Sequence, residues 1–280
     1  MVSTWTLDAR HLRGGETEVL GFKHSLVSVL AGTVSSRSRL VIDNAPDILE
    51  TTVLTALLRA RGVQVSRAGS HLELDATAVA GGSLDPALSS QIHGALYLVP
   101  ALLGAGEALR FAQTGGCEIG DGPARKRPVS HMLEVLRRHG ASFAPEPGGW
   151  TLGRSDQWTA ADHDIFDYSE SVEVLTGPRI SGATKTALIA GLGGGGGPTR
   201  VVHPYPKPDV TDLIRFAALK GALVEADCSQ ITLRPPLRIS AVVPHAFYLT
   251  PDLSEVMTFL VLGLMLDVEL KVSAAQMHLV

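Results

Sequence analysis

The chain has 280 residues, which is enough for one large domain or two ordinary ones with a substantial apolar core. Its content of 45% hydrophobic and 19% charged residues is typical of a soluble globular protein. The formal net charge of -4, without an extended basic block, argues against nucleic-acid binding as the main activity and leaves room only for a local cationic pocket.

The predicted elements follow the same order three times along the chain: an apolar helix, a short strand, a second helix that ends at glycine, and a pair of strands. The closing glycines, Gly62, Gly140 and Gly221, lie where a left-handed C-cap ends a helix. The three apolar helices are "HSLVSVLAGTV", "ALYLVPALLGAG" and "ATKTALIAGL". A fourth copy begins with "SEVMTFLVLGLML" and stops within its second helix, so we expect a further domain that is incomplete in this chain.

Each repeat reads as a βαβαββ unit, in which the strand before the first helix is the least well defined. Amphipathic helices between short strands predict sheets that are covered on one face. The sequence therefore predicts the α/β class, with three units that could surround a common helical core.

The cellular location is predicted from cysteine usage and apolar runs. Two cysteines are too few for a disulfide framework, and the opening segment has no apolar core of the kind a signal peptide needs. The longest apolar run, residues 256–266, is about half of a membrane span and predicts a buried helix. We expect a cytoplasmic protein that does not enter the membrane.

Several stretches carry a resemblance to a known family, the most specific being Gly-Gly-Cys-x-Ile-Gly. They are "GFKHSLVSVLAG", "NAPDILETTVLTALLRARGVQV", "GGCEIG" followed by "RPV", "SGATKTALIAGL", "KPDVTDLIRFAALKGA" and "PDLSEVMTFLV". Together they resemble the enolpyruvyl transferases, above all the UDP-N-acetylglucosamine 1-carboxyvinyltransferases and more remotely the 5-enolpyruvylshikimate-3-phosphate synthases.

The resemblance implies two domains, each built from three units as an inside-out α/β barrel (an alpha-beta prism), with the active site in the cleft between them. Residues 22–235 would form one domain, and residues 1–21 with 236–280 would form part of the second. The implied reaction moves the enolpyruvyl group of phosphoenolpyruvate to a hydroxyl of a uridine nucleotide and releases phosphate. It needs no cofactor and no metal.

Two residues are implied to be catalytic. Lys23 precedes the first helix, where a phosphate would also meet unpaired amide hydrogens, and it matches the family's phosphoenolpyruvate-contacting lysine. Cys117 matches the family cysteine that is thought to donate a proton and to aid product release, and that fosfomycin alkylates. From the residues alone, an ordinary exposed lysine and a small buried cysteine are the alternatives.

The loop after Cys117 is five residues longer than the family pattern, because "DGPARK" (residues 121–126) stands between Ile-Gly and Arg-Pro-Val. Arg127 best matches the family arginine that contacts phosphoenolpyruvate, and Arg125 could reach the same anion. The longer basic loop could serve a different acceptor or one with an additional negative group.

Two histidines depart from the family pattern near the implied pocket. His24 replaces an asparagine beside the lysine, and His93 stands at the position of an arginine that contacts substrate. A histidine keeps its hydrogen-bonding capacity but carries charge only conditionally at neutral pH. Each could instead be a polar residue at the edge of the core.

The remaining predicted binding residues come from two motifs. "RISGATKT" matches the stretch that holds the uracil and its diphosphate, which assigns binding roles to Arg179, Ser181, Gly182 and Thr184, whereas a simple helix N-cap is the alternative. Asp252, with Glu255, matches an acidic motif at the inter-domain connection, where a structural cap is equally compatible. The glycine run at 193–197 follows a helix and predicts a turn rather than a nucleotide loop.

Two functions from different classes follow. The first is an enolpyruvyl transferase whose acceptor is UDP-N-acetylglucosamine, as in peptidoglycan biosynthesis, or a nucleoside monophosphate such as UMP, as in nucleoside-antibiotic biosynthesis. The second is a truncated, non-catalytic nucleotide-binding or interaction protein with the same fold, since the family's catalytic aspartate and later arginines belong to units beyond residue 280. If the chain is a fragment, we expect an exposed apolar surface.

Overall fold

The computed structural model of the protein describes residues 13–112, 129–147, 149–168, 180–194, 196–236 and 246–274. After β1 (Gly15–Val19), the first unit contains α1 (Lys23–Ser35), β2 (Arg39–Ile42), α2 (Leu49–Arg59), β3 (Gln64–Ala68) and β4 (His71–Asp75). The second contains β5 (Gly82–Ser83), α3 (Pro86–Ser89), a 3-10 turn (Gly94–Tyr97), α4 (Leu98–Gly104), β6 (Leu109–Phe111), α5 (Ser130–Arg138), β7 (Ala141–Glu146) and β8 (Gly149–Arg154).

The third unit follows the same order and leads into a last helix and strand. It contains β9 (Asp162–Asp164), a 3-10 turn (Ile165–Tyr168), α6 (Ser181–Leu192), β10 (Thr199–Val202), α7 (Pro208–Leu219), β11 (Leu223–Ala226) and β12 (Gln230–Arg234). The described chain ends with α8 (Leu253–Leu266) and β13 (Leu270–Ala274). The predicted repetition is therefore present in the structure.

Each unit forms its own sheet, with orders β2-β4-β3, β5-β6-β8-β7 and β9-β10-β12-β11. In the second and third sheets the first strand of the unit pairs in parallel with the next one, β5 with β6 and β9 with β10. In the first unit this place is taken by Phe247, which follows the third unit and forms a parallel bridge with Ile42. The Phe247 amide donates to the Val41 carbonyl at 2.7 Å. The first strand of the first unit, which the sequence defines only weakly, is thus replaced by a residue that follows the third unit.

The first helices of the three units, α1, α4 and α6, are buried on nearly every face and pack against one another. A helix without a polar side is stable only inside a core. Small residues allow the close packing: a Cβ at Gly32 would lie 2.9 Å from Leu213, on the neighbouring α7. The second helices, α2, α5 and α7, bury one face each.

The predicted C-caps are confirmed. Gly62, Gly140 and Gly221 follow α2, α5 and α7 with φ of 82°, 98° and 88°, in the left-handed region that glycine adopts without steric cost. Each cap turns the chain directly into the following strand, β3, β7 or β11, and so fixes where each strand pair begins.

The helix predicted for residues 256–266 exists as part of α8, but its predicted burial is wrong. Val256 is its one buried residue, whereas Leu264 is 84% exposed and Met265 is 79% exposed. The helix packs on β13, which pairs in parallel with β1 in a separate two-stranded sheet and covers one side only. The expected exposed apolar surface is present. None of the helices in the described ranges is long and apolar enough to cross a membrane.

The segment before α8 is bound to the repeats by a few strong contacts. The Asn44 amide donates to the Leu249 carbonyl and accepts from the Leu249 amide, both at 2.9 Å. The Thr250 hydroxyl and amide both donate to the buried Asp212 carboxylate. The division between residues 22–235 and the rest stays a prediction.

Candidate active site at the helix N-termini

The inner helices α1, α4 and α6 run in the same direction. Their C-terminal ends meet, because the Ser35 hydroxyl of α1 donates to the Ile189 carbonyl of α6 at 2.5 Å and Gly104 of α4 contacts both Ser35 and Gly193. Their N-terminal ends therefore meet at the opposite end. Helix N-termini present unpaired amide hydrogens and the positive end of the helix dipole, which together favour anions.

Side chains from four elements converge at this end. His24 on α1 interacts electrostatically with Lys185 on α6, with its neighbour Lys23, with Asp209 at the start of α7 and with His93 before the 3-10 turn. Of these, sequence reasoning had predicted Lys23, His24 and His93. The structure brings those three together, with Lys23 half-buried as the first residue of α1.

A buried ion pair lies beneath these residues. The Lys185 ammonium lies 2.5 Å from Asp209 Oδ2, and both side chains are almost completely buried. Burial disfavours the charged lysine, but the Tyr97 ring system at 4.5 Å and the Asp209 carboxylate outweigh it and raise the pKa of Lys185. Asp209 thus neutralises the Lys185 charge locally. The other carboxylate oxygen, Oδ1, accepts no hydrogen bond from the described residues.

Two histidines of this end are held neutral. Burial, and then the charges of Lys185 and Lys23, lower the pKa of His24 from 6.5 to about 4, against the opposing effect of Asp209. Burial, and then His93, lower the pKa of His131 on α5 to about 4. Neither imidazole forms a hydrogen bond with another described residue, so within the described structure each has one donor and one acceptor without a partner at neutral pH.

The N-terminus of α6 is shaped by a glycine. A Cβ at Gly182 would lie 2.5 Å from His131 Nε2, so the absence of a side chain lets the imidazole lie against the first turn of α6. Ser181 is the first residue of this helix, and the helix has no side-chain capping hydrogen bond. The simple N-cap was the alternative that the sequence had left open for this motif. The binding roles of Gly182 and Ser181 stay predictions.

Two other predicted binding residues have structural partners. The Thr184 hydroxyl donates to the Ile180 carbonyl and accepts from the Tyr205 amide, each at 3.2 Å, which joins α6 to the segment before α7. Asp252 is the N-cap of α8, because its Oδ1 accepts from the amides of Ser254 and Glu255. Ligand contacts of Thr184 and Asp252 stay predictions.

The loop residues cannot be placed in this site. Cys117, Arg125, Arg127 and Arg179 lie outside the described residues. Within the described ranges, groups of three or more His, Cys, Asp or Glu side chains that could hold a metal ion do not occur. Gly193 and Gly194 follow α6 at the C-terminal end of the inner helices, opposite the end that contains His24, His93 and His131.

Sequence reasoning missed Lys185, Asp209, Tyr97 and His131. Lys185 carried a usable signal, since it is the one charged residue within an otherwise small and apolar helix. A charge in such a helix needs a buried partner. That the partner is Asp209, 24 residues further along, depends on the packing of α6 against α7 and has no local signature.

The match to known proteins covers most of the chain. The family model of EPSP synthase (3-phosphoshikimate 1-carboxyvinyltransferase) matches residues 13–279. The chain belongs to this family. The predicted resemblance is confirmed, and the members compared below are named as enolpyruvyl or carboxyvinyl transferases or as EPSP synthases.

Among relatives, the UDP-N-acetylglucosamine 1-carboxyvinyltransferase of Synechocystis sp. is 27% identical over 261 residues, which cover 92% of this chain and 55% of that protein. The enzyme of the same name from Wolbachia pipientis is 23% identical over 271 residues, covering 94% of this chain and 59% of that protein. The chain thus spans somewhat more than half the length of these relatives.

Two solved structures share the fold. The enolpyruvyl transferase NikO from Streptomyces tendae superimposes with a TM-score of 0.77 at 33% identity, covering 90% of this chain and 55% of that one. EPSP synthase from Acinetobacter baumannii gives a TM-score of 0.63 at 18% identity, covering 89% of this chain and 52% of that one. The mixed α/β fold is therefore that of the enolpyruvyl transferases.

Proposed function

We propose that the protein transfers the enolpyruvyl group of phosphoenolpyruvate to a hydroxyl of a uridine nucleotide and releases phosphate. The observation that carries this proposal is the convergence of Lys23 and His24, at the N-terminus of α1, with His93 and the start of α6 in a chain of this family. The three family-matched segments that supply these residues are far apart in sequence and meet at one end of the inner helices.

The chemistry fits an anionic substrate. Phosphoenolpyruvate carries a phosphate and a carboxylate, which need fixed cations and backbone donors. Lys23 is a cation that Asp209 does not neutralise by direct pairing, and it lies at a helix N-terminus. In the transfer, the acceptor oxygen forms a bond to the enol carbon, the bond from that carbon to the phosphate oxygen breaks, and the hydroxyl proton is lost. Cys117, Arg125, Arg127 and Arg179 would complete the site.

The architecture belongs to the same proposal. The three sheets and the buried helices α1, α4 and α6 would form the inside-out barrel of one domain, residues 22–235. Residues 1–21 and 236–280 would belong to a second domain, and the apolar face of α8 supports this because it is exposed in the described structure.

The acceptor is the finer part of the proposal. His24 and His93 stand where the family pattern has an asparagine and an arginine, so the site has fewer fixed charges than the pattern requires. This favours an acceptor that differs from UDP-N-acetylglucosamine, with UMP as the nearest simple candidate. UMP would point to nucleoside-antibiotic biosynthesis, and the sugar nucleotide to peptidoglycan biosynthesis.

The test is a phosphate-release assay on the protein purified from its host, with phosphoenolpyruvate and either UMP or UDP-N-acetylglucosamine. We expect phosphate release that depends on the nucleotide and is faster with UMP. Release with the sugar nucleotide alone would reject the UMP assignment. Nucleotide binding without any phosphate release would support the alternative, a non-catalytic nucleotide-binding protein.

A matched pair of lysine variants tests the site itself. Lys23→Met removes a cation at a helix N-terminus, and the loss of one charge-assisted hydrogen bond should weaken phosphoenolpyruvate binding by about 10- to 100-fold. Lys271→Met removes an exposed lysine of β13, which pairs with Glu16, and should leave binding unchanged. Equal effects of the two variants would contradict a phosphate site at Lys23.

A further inference from the structure

Three histidines from three different elements border the N-terminal end of α6. His24 comes from α1, His93 precedes the 3-10 turn and His131 comes from α5. His131 lies against Gly182, and the His93 ring stands edge-on to the Tyr97 ring at a centroid distance of 6.4 Å. His93 interacts electrostatically with both other histidines. The three imidazoles therefore form one cluster.

The fixed positive charge near this cluster is small. The Lys185 ammonium is paired with Asp209 at 2.5 Å and lies over the Tyr97 ring, so its positive charge at the cluster is partly offset. Lys23 remains as the fixed cation that interacts with His24 in the described structure. The Glu50 carboxylate is also close, because it accepts from the Gly94 amide at 2.8 Å. Without ligand, the fixed charges beside the cluster are those of Lys23 and Glu50 and the partly offset charge of Lys185.

We propose that His24, His93 and His131 form a proton-coupled cradle for a dianionic phosphate ester, whose binding is accompanied by uptake of a proton from solvent onto the cluster. The inference deepens the proposed function, since the ligand would be a phosphorylated substrate of the transferase. The cluster would then supply positive charge only when the phosphate is bound.

The electrostatics give the direction of the effect. The pKa of His24 and of His131 is lowered to about 4 in the empty site, mainly by burial. One opposite charge within hydrogen-bonding range raises the pKa of a histidine by about 1 to 3 units, and a dianion raises it by roughly twice as much. An imidazole in contact with the phosphate would therefore be protonated at neutral pH.

The Asp209 carboxylate provides negative charge that compensates for that proton. A neutral imidazole has one N–H donor, whereas an imidazolium has two. Asp209 Oδ1 is buried, accepts no hydrogen bond from the described residues and belongs to a carboxylate that interacts with His24. A protonated His24 can donate to the phosphate, and the negative charge of Asp209 stabilises the imidazolium.

The cradle also predicts selectivity. A phosphate monoester carries about two negative charges above its second pKa of about 6, whereas each phosphate in a diester linkage carries one. Because the negative charge of the ligand causes the proton uptake, the uptake should strengthen the binding of a monoester more than the binding of a diester. Phosphoenolpyruvate and UMP are monoesters, so the cradle fits either.

The experiment is isothermal titration calorimetry with UMP and, as the uncharged control, uridine. The titrations are made at about pH 7.5, where the monoester is already dianionic, in buffers of different ionisation enthalpy. The dependence of the observed enthalpy on the buffer gives the number of protons taken up. We expect about one proton for each UMP bound and none for uridine.

Variants show where the proton goes. His24→Asn with His131→Asn keeps polar side chains but removes the titrating groups, so proton uptake should fall to near zero while the folded structure is kept. His71→Asn removes a surface histidine that pairs with Asp43 and Glu73 rather than with the cluster, and it should leave proton uptake unchanged. Circular dichroism checks the fold of each variant.

Several outcomes would overturn the inference: UMP binding without proton uptake, uptake that persists in the double variant, or no UMP binding at millimolar concentration. The outcome is separable from that of the transferase assay. Proton-coupled UMP binding without phosphate release keeps the cradle and rejects the transferase, whereas phosphate release without proton uptake does the reverse.

Discussion

The two ends of the inner helices contain the same kinds of side chain in opposite states. At the C-terminal end, Arg37 donates to the Ala105 and Val79 carbonyls at 2.8 and 3.0 Å, and Arg154 donates to the Gly104 carbonyl at 2.8 Å. The Gly104 and Ala105 carbonyls lie at the C-terminal end of α4, where a helix leaves carbonyls unpaired. At the N-terminal end, Lys23, His24 and His131 form no hydrogen bonds of this kind with the described residues.

The histidines make the contrast sharper. His139 Nδ1 lies 2.9 Å from the Thr159 carbonyl, which can only accept, so this nitrogen carries the proton. His139 Nε2 then accepts from His163 Nε2 at 3.0 Å, and His163 Nδ1 accepts from the Tyr168 hydroxyl at 2.6 Å. Every nitrogen of this pair has a partner, whereas those of His24 and His131 have none among the described residues.

We call the C-terminal end of the inner helices, with the nearby His139–His163 pair, the closed end, and the N-terminal end the open end. The difference supports the proposal that a ligand binds at the open end, because His24 and His131 lack the partners that buried polar groups of a core usually have. The three predictions below test this contrast, from the largest expected effect to the smallest.

Acid should destabilise the closed end through its two buried histidines. Burial, with further effects of neighbours, lowers the pKa of His139 to about 4 and that of His163 to about 3, below the unfolded value of 6.5. Stability that is present above pH 6.5 is therefore lost as the pH falls towards 4, by about 3 kcal/mol of unfolding free energy for each histidine. Chemical denaturation at several pH values measures this.

The variant His139→Gln isolates the effect from general acid denaturation. Its stability should depend less on pH than that of the wild type between pH 6.5 and 4. His71→Gln is the control, because hydrogen bonds to Glu73 and Asp43 raise the pKa of this exposed histidine and its loss should not flatten the profile. Parallel profiles for wild type and His139→Gln would refute the assignment.

The ion pair beneath the open end should be the next most sensitive feature. Lys185→Met leaves the buried Asp209 carboxylate without its partner, which should cost about 3–5 kcal/mol of unfolding free energy. Adding Asp209→Leu should restore most of the loss, since two apolar residues of similar volume are tolerated where one unpaired charge is not. A single variant that loses less than about 1 kcal/mol would contradict a tight buried pair.

The smallest of the three effects concerns the packing of the closed end. A Cβ at Gly193 would overlap the Gly104 backbone at the junction of α6 and α4, so Gly193→Ala should cost about 1–3 kcal/mol. Gly15→Ala is the control, since a Cβ there would meet nothing within 4 Å. Ligand binding by the folded Gly193→Ala protein should be unchanged. A selective loss of binding would contradict the distinction between the two ends.

Much of this fold can be predicted from short stretches of the sequence. The apolar helices and the capping glycines Gly62, Gly140 and Gly221 are each set by a few neighbouring residues, and the structure has them where the pattern predicts. The burial of α8 could not be predicted, because hydrophobicity shows that a helix prefers to be covered but not what covers it. The use of Phe247 as a substitute first strand depends on closure over some 200 residues and has no local signal.

The site divides in the same way. Lys23, His24 and His93 were found because they occupy positions of a sequence pattern. Asp209 and His131 were not, since their roles come from contacts between α6 and its neighbours α7 and α5. A residue whose chemistry depends on a partner in another unit becomes recognisable only when the units are packed.

The central claim is that the open end binds phosphate and the closed end does not, and histidine NMR at about pH 7.5 tests it most directly because a phosphate monoester is dianionic there. Addition of UMP should move the imidazole resonances of His24 and His131 towards their protonated positions and leave those of His139 and His163 unchanged, and uridine should not do this. Unchanged His24 and His131 resonances at saturating UMP, or shifts confined to His139 and His163, would contradict the account.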